Sequence, residues 1–312
     1  MKYTIGVTAT GGGVGQSIIK ALRQSDYKIV AFDGENTAAG LYMADRAELI
    51  PYAKNDFFIE DLLALCKKHH VDLLFPGMDC ELLKLSEARK LFRDEGIQVV
   101  VSDAEVINTA DDKFLTNQFL YYNSLPQPRT WLTVDLFYET GSYPVILKPK
   151  RGGARSKGVR KIYNSAQMPK KLEDNVLQEY IDGDEYTCGT VTLGDKYRGC
   201  ISMRRILRDG DTYKAYVEKH DQIDELCEKV CKAMRPFGAF NIQLRMRDEV
   251  PYVFEFNARC SGTTAARALA GFNEPLMIAD YLLKHKEPVY EIEKMSILRY
   301  WNELPVKKLI WK

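Results

Sequence analysis

Residues 240–262 read FNIQLRMRDEVPYVFEFNARCSG. Two runs of alternating apolar and polar residues flank Asp248 and Glu249, the pattern of a β-hairpin. A turn symmetric about Glu249 places Gln243 opposite Glu255, and Asn241 opposite Asn257. Alternation then sends Ile242, Leu244, Phe254 and Phe256 to one face. The other face receives Asn241, Gln243, Arg245, Glu255, Asn257 and Arg259. Hard cations such as Mg2+ take carboxylate and amide oxygens and are completed by nucleotide phosphates. The same pattern also fits a sheet with one wet face, so the rest of the chain has to decide.

The N-terminal third alternates strands and helices. Strands are expected at Tyr3 to Thr10, Lys28 to Asp33, Val71 to Phe75 and Gln98 to Ser102. Helices are expected at Val14 to Gln24, Asp61 to His69 and Glu81 to Glu95. Such alternation implies a parallel sheet covered by helices. The first connection is GGGVGQS, residues 11–17. A glycine turn before a helix N-terminus favours an anion, and Asp33 stands where a dinucleotide-binding protein holds a ribose. The third glycine of G-x-G-x-x-G is replaced by Gln16 or Ile18, so a tight structural turn competes with NAD binding.

After Asp103 the character changes. ADDKFLTNQFLYYNSLPQP, residues 110–128, reads as one helix stopped by prolines. Strands then dominate. PVILKPKRGGARSKGV, residues 144–159, delivers Lys148 from an apolar strand. It continues into a loop with Gly152, Gly153, Ser156 and Gly158 among Arg151, Arg155 and Lys157. Glycines beside cations suit phosphates, although G-x-x-x-x-G-K-[ST] is absent and an exposed basic turn has the same composition. VLQEYIDGDEYT, residues 176–187, ends a strand at Glu179, Tyr180 and Ile181, turns at Asp182-Gly183 and resumes with Glu185. A helix is expected from Asp221 to Met234, and Thr264 to Lys284 is helix-prone.

The composition excludes several functions. Among 312 residues, 44 basic and 43 acidic side chains give a net charge of +1, with no electrostatic case for nucleic acid or an anionic membrane. No apolar run approaches a membrane span, and MKYTIGVTAT lacks a signal peptide's apolar core. The seven scattered cysteines imply buried thiols in a reducing cytoplasm, including Cys227 and Cys231, one helical turn apart.

In this order, the segments resemble the ATP-grasp superfamily, most nearly the ATP-grasp module of the carbamoyl-phosphate synthase large subunit and its stand-alone relatives. The resemblance covers most of the chain. It implies a mixed α/β and α+β fold, with a Rossmann-like parallel-sheet lobe at 1–105 and two subdomains, 106–185 and 186–312, that clamp ATP. Lys113 in DDK and Lys148 in VILKP match the family's cations on the ATP phosphates, and RGGARSKGV matches its mobile phosphate loop. Glu179, Tyr180 and Ile181 match the adenine hinge, and Glu185 the ribose contact. Gln243, Glu255 and Asn257 match ligands of Mg2+ or Mn2+, and Arg259 the residue beside the transferred phosphate. Gln243 replaces the glutamate of many carboxylate ligases, which leaves Glu255 as the main, bridging metal ligand.

The implied activity is an ATP-dependent carboxylate–amine ligase acting through an acyl phosphate. Arg259 and Lys148 would be its catalytic groups, small carboxylates and amines its partners, and a homodimer a state common among relatives. Arg204 and Arg205, in ISMRRILRDGDTYKA, together with Thr263 and Arg267, are candidates for the substrate. Alternatives within the resemblance are phosphorylation of carbamate or bicarbonate, and a regulatory nucleotide-binding module without turnover. A second arginine that the synthases carry after the position of Arg259 is missing, because the chain reads CSGTT there.

Overall fold

The structure is a computed structural model and describes residues 2–152 and 156–311. Gly153, Ala154 and Arg155 of the glycine loop therefore lie outside the described residues.

The first sheet is parallel, in the order β3-β2-β1-β4-β5. Its strands are β1 (Thr4–Val7), β2 (Lys28–Asp33), β3 (Arg46–Leu49), β4 (Leu73–Phe75) and β5 (Gln98–Val99). Helices α1 (Gly13–Leu22), α2 (Phe58–Lys68) and α3 (Asp79–Asp94) alternate with them. The continuous apolar runs of β1 and β4 are buried throughout, as strands covered on both faces must be. Strand β3 was not expected; RAEL is short and half-exposed, with little apolar patterning to find.

The helix expected to start at Ala110 and end before the prolines is corrected: its first residues close α4 (Ala104–Asp111), and the rest is a separate helix, α5 (Lys113–Tyr122). Asp112 sits between them in extended backbone and accepts hydrogen bonds from the N–H groups of Phe114 and Leu115. An aspartate used as an N-cap starts a new helix rather than continuing the old one. This cap sets Lys113 at the first position of α5.

A four-stranded antiparallel sheet follows, in the order β6-β9-β7-β8. It comprises β6 (Thr130–Trp131), β7 (Val145–Pro149), β8 (Arg160–Ile162) and β9 (Asn175–Glu179), with α6 (Val134–Thr140) beside it. Its small core holds Trp131, Phe137, Val145, Leu147, Ile162, Leu172 and Leu177. Leu147 points into that core, so period-2 alternation turns Lys148 the opposite way.

The third sheet has the order β14-β13-β10-β11-β12-β15. Strands β10 (Asp184–Leu193), β11 (Lys196–Arg208), β12 (Asp211–Val217), β13 (Gly238–Arg247) and β14 (Val250–Asn257) are followed late in the chain by β15 (Ser296–Leu298). Helix α7 (Asp221–Met234) buries Leu226, Val230 and Met234 with Ile242 and Phe256 in one core. The helix-prone 264–284 stretch divides into α8 (Thr264–Leu269) and α9 (Glu274–Lys284), separated at Gly271, whose φ is +92°. Among the described residues, no helix is long and apolar enough to cross a membrane.

Candidate active site

The hairpin pairs Gln243 with Glu255 and Asn241 with Asn257, as its sequence suggests. The route differs. Asp248 and Glu249 both have positive φ, 51° and 61°, so the turn is a tight two-residue one. Its centre lies half a residue earlier than expected, and a bulge between Gln243 and Leu244 restores the register. Leu244 therefore faces Val253, which is buried, while Phe254 is only half-buried and leaves the apolar face assigned to it. A bulge leaves one residue unpaired and re-aims its neighbours. The freed carbonyl of Phe254 accepts a 3.0 Å hydrogen bond from Lys148 Nζ, whose ammonium also lies 5.5 Å from the Phe254 ring.

A cavity of about 780 Å³ opens over this face. The starts of α1 and α3 contribute Gly12, Gly13 and Asp79. The helix α5 start and glycine loop contribute Lys113, Arg151 and Gly152. The third sheet contributes Thr187, Arg205, Asn241, Gln243, Glu255, Asn257, Asp211 and Thr212, with Arg259, Thr263 and Arg299 from later segments. Lys148 is buried just behind this lining, and burial pulls its ammonium down to about 8 against the opposing field of Glu255. Phosphate charge beside it would raise it again. Lys113, also buried, donates to the carbonyl oxygens of Gly152 at 2.9 Å and Asp111 at 3.3 Å, tying the loop to α5.

Two arginines orient the amides between them. Arg267 is fully buried, paired with Glu274 at 2.7 Å, and donates to Thr187 Oγ1 and to Asn241 Oδ1. Asn241 must then present its nitrogen, and it donates to Asn257 Oδ1 at 2.9 Å. From the other side, Arg205 Nη2 donates to Gln243 Oε1 at 2.5 Å, and Gln243 Nε2 donates to Asn257 Oδ1 at 3.0 Å. Asn257 Nδ2 completes the line to Glu255 Oε1 at 3.2 Å. A guanidinium only donates, so each end determines the orientation of the amide next to it.

Several expected roles are corrected by this placement. Arg267 cannot face a substrate: it is sealed behind Asn241 and Thr187 and holds them in place. Arg204 points off the cavity, paired with Glu218 at 3.0 Å over the Tyr216 ring. Arg205 does line the cavity, but its guanidinium is engaged by Glu185 at 2.6 Å. Glu185 is also held by Arg245 at 2.6 Å, so both of its oxygens are committed to guanidinium groups and a ribose would have to compete for them. Asp33 holds no ribose position either; its carboxylate caps Gly11 N at 2.7 Å and Glu35 N at 3.0 Å, locking the glycine turn.

In the segment expected to form the adenine hinge, Glu179 receives Arg247 at 3.2 Å and Arg129 N at 3.2 Å. Tyr180 lies under Lys161, and Ile181 is buried. Gly152, Ser156 and Gly158 carry positive φ, and Gly153 is outside the described residues. Thr263 is buried and hydrogen-bonded to Ser261 Oγ at 2.7 Å. Arg259 Nη2 meets Asp79 at 2.5 Å, joining the hairpin end to the first lobe. Thr187, Asp211 and Arg299 line the cavity as well and escaped sequence reading; Thr187 reaches it through its pairing with Gln243, 56 positions along the chain.

Glu255 offers a hard carboxylate to a divalent cation, the donor Mg2+ requires beside phosphate oxygens. Asn257 presents its nitrogen to Glu255 and its oxygen to the N–H donors of Asn241 and Gln243, so Glu255 is the anionic donor of this face and Asn257 Oδ1 is the amide oxygen beside it.

Comparison with known proteins agrees with this fold. Residues 7–100 match the family described as PylC-like, N-terminal domain, and residues 171–303 match ATP-grasp in the biosynthetic pathway with Ter operon. A D-alanine–D-alanine ligase A from Bacillus cereus is 24% identical over 234 residues, covering 63% of this chain and 76% of its own. Among solved structures, the ADP complex of N5-carboxyaminoimidazole synthetase from Staphylococcus aureus superposes with a TM-score of 0.71 at 16% identity, covering 96% of this chain and 94% of that one. The L-amino acid ligase from Bacillus licheniformis gives a TM-score of 0.69 at 15% identity, covering 91% and 74%. The nearer likeness expected to carbamoyl-phosphate synthase finds only loose support beside these ligases. In sequence the chain matches an ATP-grasp family model over residues 171–303, and its fold is the one shared by these two solved enzymes.

Proposed function

We propose that the protein is an ATP- and Mg2+-dependent ligase that joins a small carboxylic acid to an amine. The observation that carries this reading is Glu255, which faces a cavity bounded by Lys113 and backed by the buried Lys148, with Arg259 at its other end. On this reading, the segments 1–105, 106–185 and 186–312 act as the three lobes of the clamp. Glu255, with the Asn257 oxygen beside it, would hold Mg2+; Mn2+ has the same oxygen preference. The ion, when bound, neutralises charge on the phosphate oxygens.

The chain's own residues do the positioning. Lys148 and Lys113 hold ammonium groups toward the transferring phosphoryl group, in a site where burial strengthens their field. Carboxylate attack on that group forms an acyl phosphate and releases ADP. An amine then attacks the acyl carbon and phosphate leaves. Arg259 stabilises oxyanion charge in both steps, and its pairing with Asp79 fixes its guanidinium across the lobes.

The test is ADP release across pairs of small carboxylates and amines. Release should require both partners, and Glu255→Ala should abolish it while circular dichroism stays unchanged. Wild-type turnover in Glu255→Ala would remove the metal assignment. Release driven by bicarbonate alone would replace the organic acid as phosphoryl acceptor.

A further inference from the structure

Resting on the ligase reading, we propose that Arg205 is a fixed cation facing the nucleotide's phosphates, and that the hairpin therefore holds a single divalent ion, with Gln243 as a positioning residue rather than a ligand. The geometry around Gln243 carries this. Its oxygen accepts from Arg205 at 2.5 Å, and its nitrogen donates to Asn257 at 3.0 Å. Turning the amide over would aim an N–H donor at a guanidinium, which has no acceptor to offer.

Arg205 is itself locked. Its Nε and Nη2 both reach Glu185 Oε1, at 2.9 and 2.6 Å, and its side chain is 12% exposed. Arg245 takes the other Glu185 oxygen. Glu185 with two guanidinium groups leaves one net positive charge at this end of the cavity. Glu255 supplies the nearest negative charge on the hairpin, linked to Arg205 through the amides of Gln243 and Asn257. Paired metal sites place two ions about 4 Å apart and rely on carboxylates that bridge them. Here the position opposite Glu255 is the neutral Gln243, and a second dication beside it would meet the Arg205 charge.

The experiment counts Mn2+ bound per ADP by electron paramagnetic resonance of the free ion, at saturating ADP. One ion per wild-type complex is expected. Arg205→Gln should keep that count and weaken ADP binding by about tenfold or more, with Arg205→Lys recovering part of it. Arg205→Gln combined with Gln243→Glu supplies a carboxylate and removes the guanidinium. That protein should bind two Mn2+ and regain ADP affinity, since the second ion takes the guanidinium's place. A merely structural Arg205 would lower stability in these variants without changing the count. Two Mn2+ on wild type overturns the proposal, as does one on the double variant. Wild-type protein that binds no ADP instead retires the ligase reading, and this inference with it.

Discussion

Removing the Arg267 guanidinium should be among the most damaging single changes in the molecule, although it touches no substrate. Arg267 and Glu274 are 0% and 1% exposed, 2.7 Å apart. Arg267→Met strands a buried carboxylate and takes N–H donors from Thr187 and Asn241. Breaking a buried pair from one side costs about 3–5 kcal/mol, mostly the uncompensated charge. The surroundings leave no easy relief, because a Cβ on Gly189 would already come within 2.4 Å of both the guanidinium and the carboxylate. The sign with pH follows. Burial pushes the Glu274 carboxyl up and Arg267 draws it back in part. Without Arg267 it rises further, so the deficit is largest at pH 8 and shrinks as pH falls toward the ordinary carboxylate range. Urea unfolding followed by circular dichroism at pH 8 and pH 5 measures this. Arg267→Met should lose its urea midpoint mainly at pH 8. Arg267→Met with Glu274→Leu should recover most of it, because an apolar pair replaces the ion pair without leaving a charge. A single variant with wild-type stability, or a double variant no better than the single, refutes the reasoning.

Glu81, buried beneath the Gly77–Asp79 turn and bonded to Thr8 Oγ1, is pushed by burial from 4.5 to about 7. Its folded form favours the proton, so its contribution is full below its unfolded value and lost as pH rises through 7. The loss is about 3 kcal/mol. Glu81→Leu should flatten the pH dependence of urea stability between 4.5 and 7, and an unchanged slope would contradict it. Lys148→Ala should raise the KM for ATP and lower kcat in the ADP-release assay, since one ammonium is removed from the phosphate path; unaltered kinetics would exclude Lys148 from it.

The alternation in 240–262 was enough to pair Gln243 with Glu255, because side-chain period and strand direction are local properties of a hairpin. The parallel first sheet and helix α7 were legible for the same reason, as periodic apolar faces. Fold and family resemblance followed from the order of short motifs along the chain. Local patterning failed at three kinds of place. The turn centre and its compensating bulge depend on two residues adopting positive φ together, which moved Phe254 off the apolar face and gave Lys148 a carbonyl to bind. Asp112 divided a continuous helical pattern by capping, an outcome set by which backbone groups needed a partner. The arginines were beyond reach of sequence. Arg204 and Arg205 are adjacent, yet alternation sends one to Glu218 and the other to Glu185 and Gln243. Arg267, placed near the site by proximity in the chain, is buried by α8 and α9 against β10. Which types of residue could hold a nucleotide and a metal was therefore a property of the sequence. Which of their oxygens already have partners was decided only when distant strands met, because a hydrogen bond depends on both groups and the chain brings them together across dozens of residues.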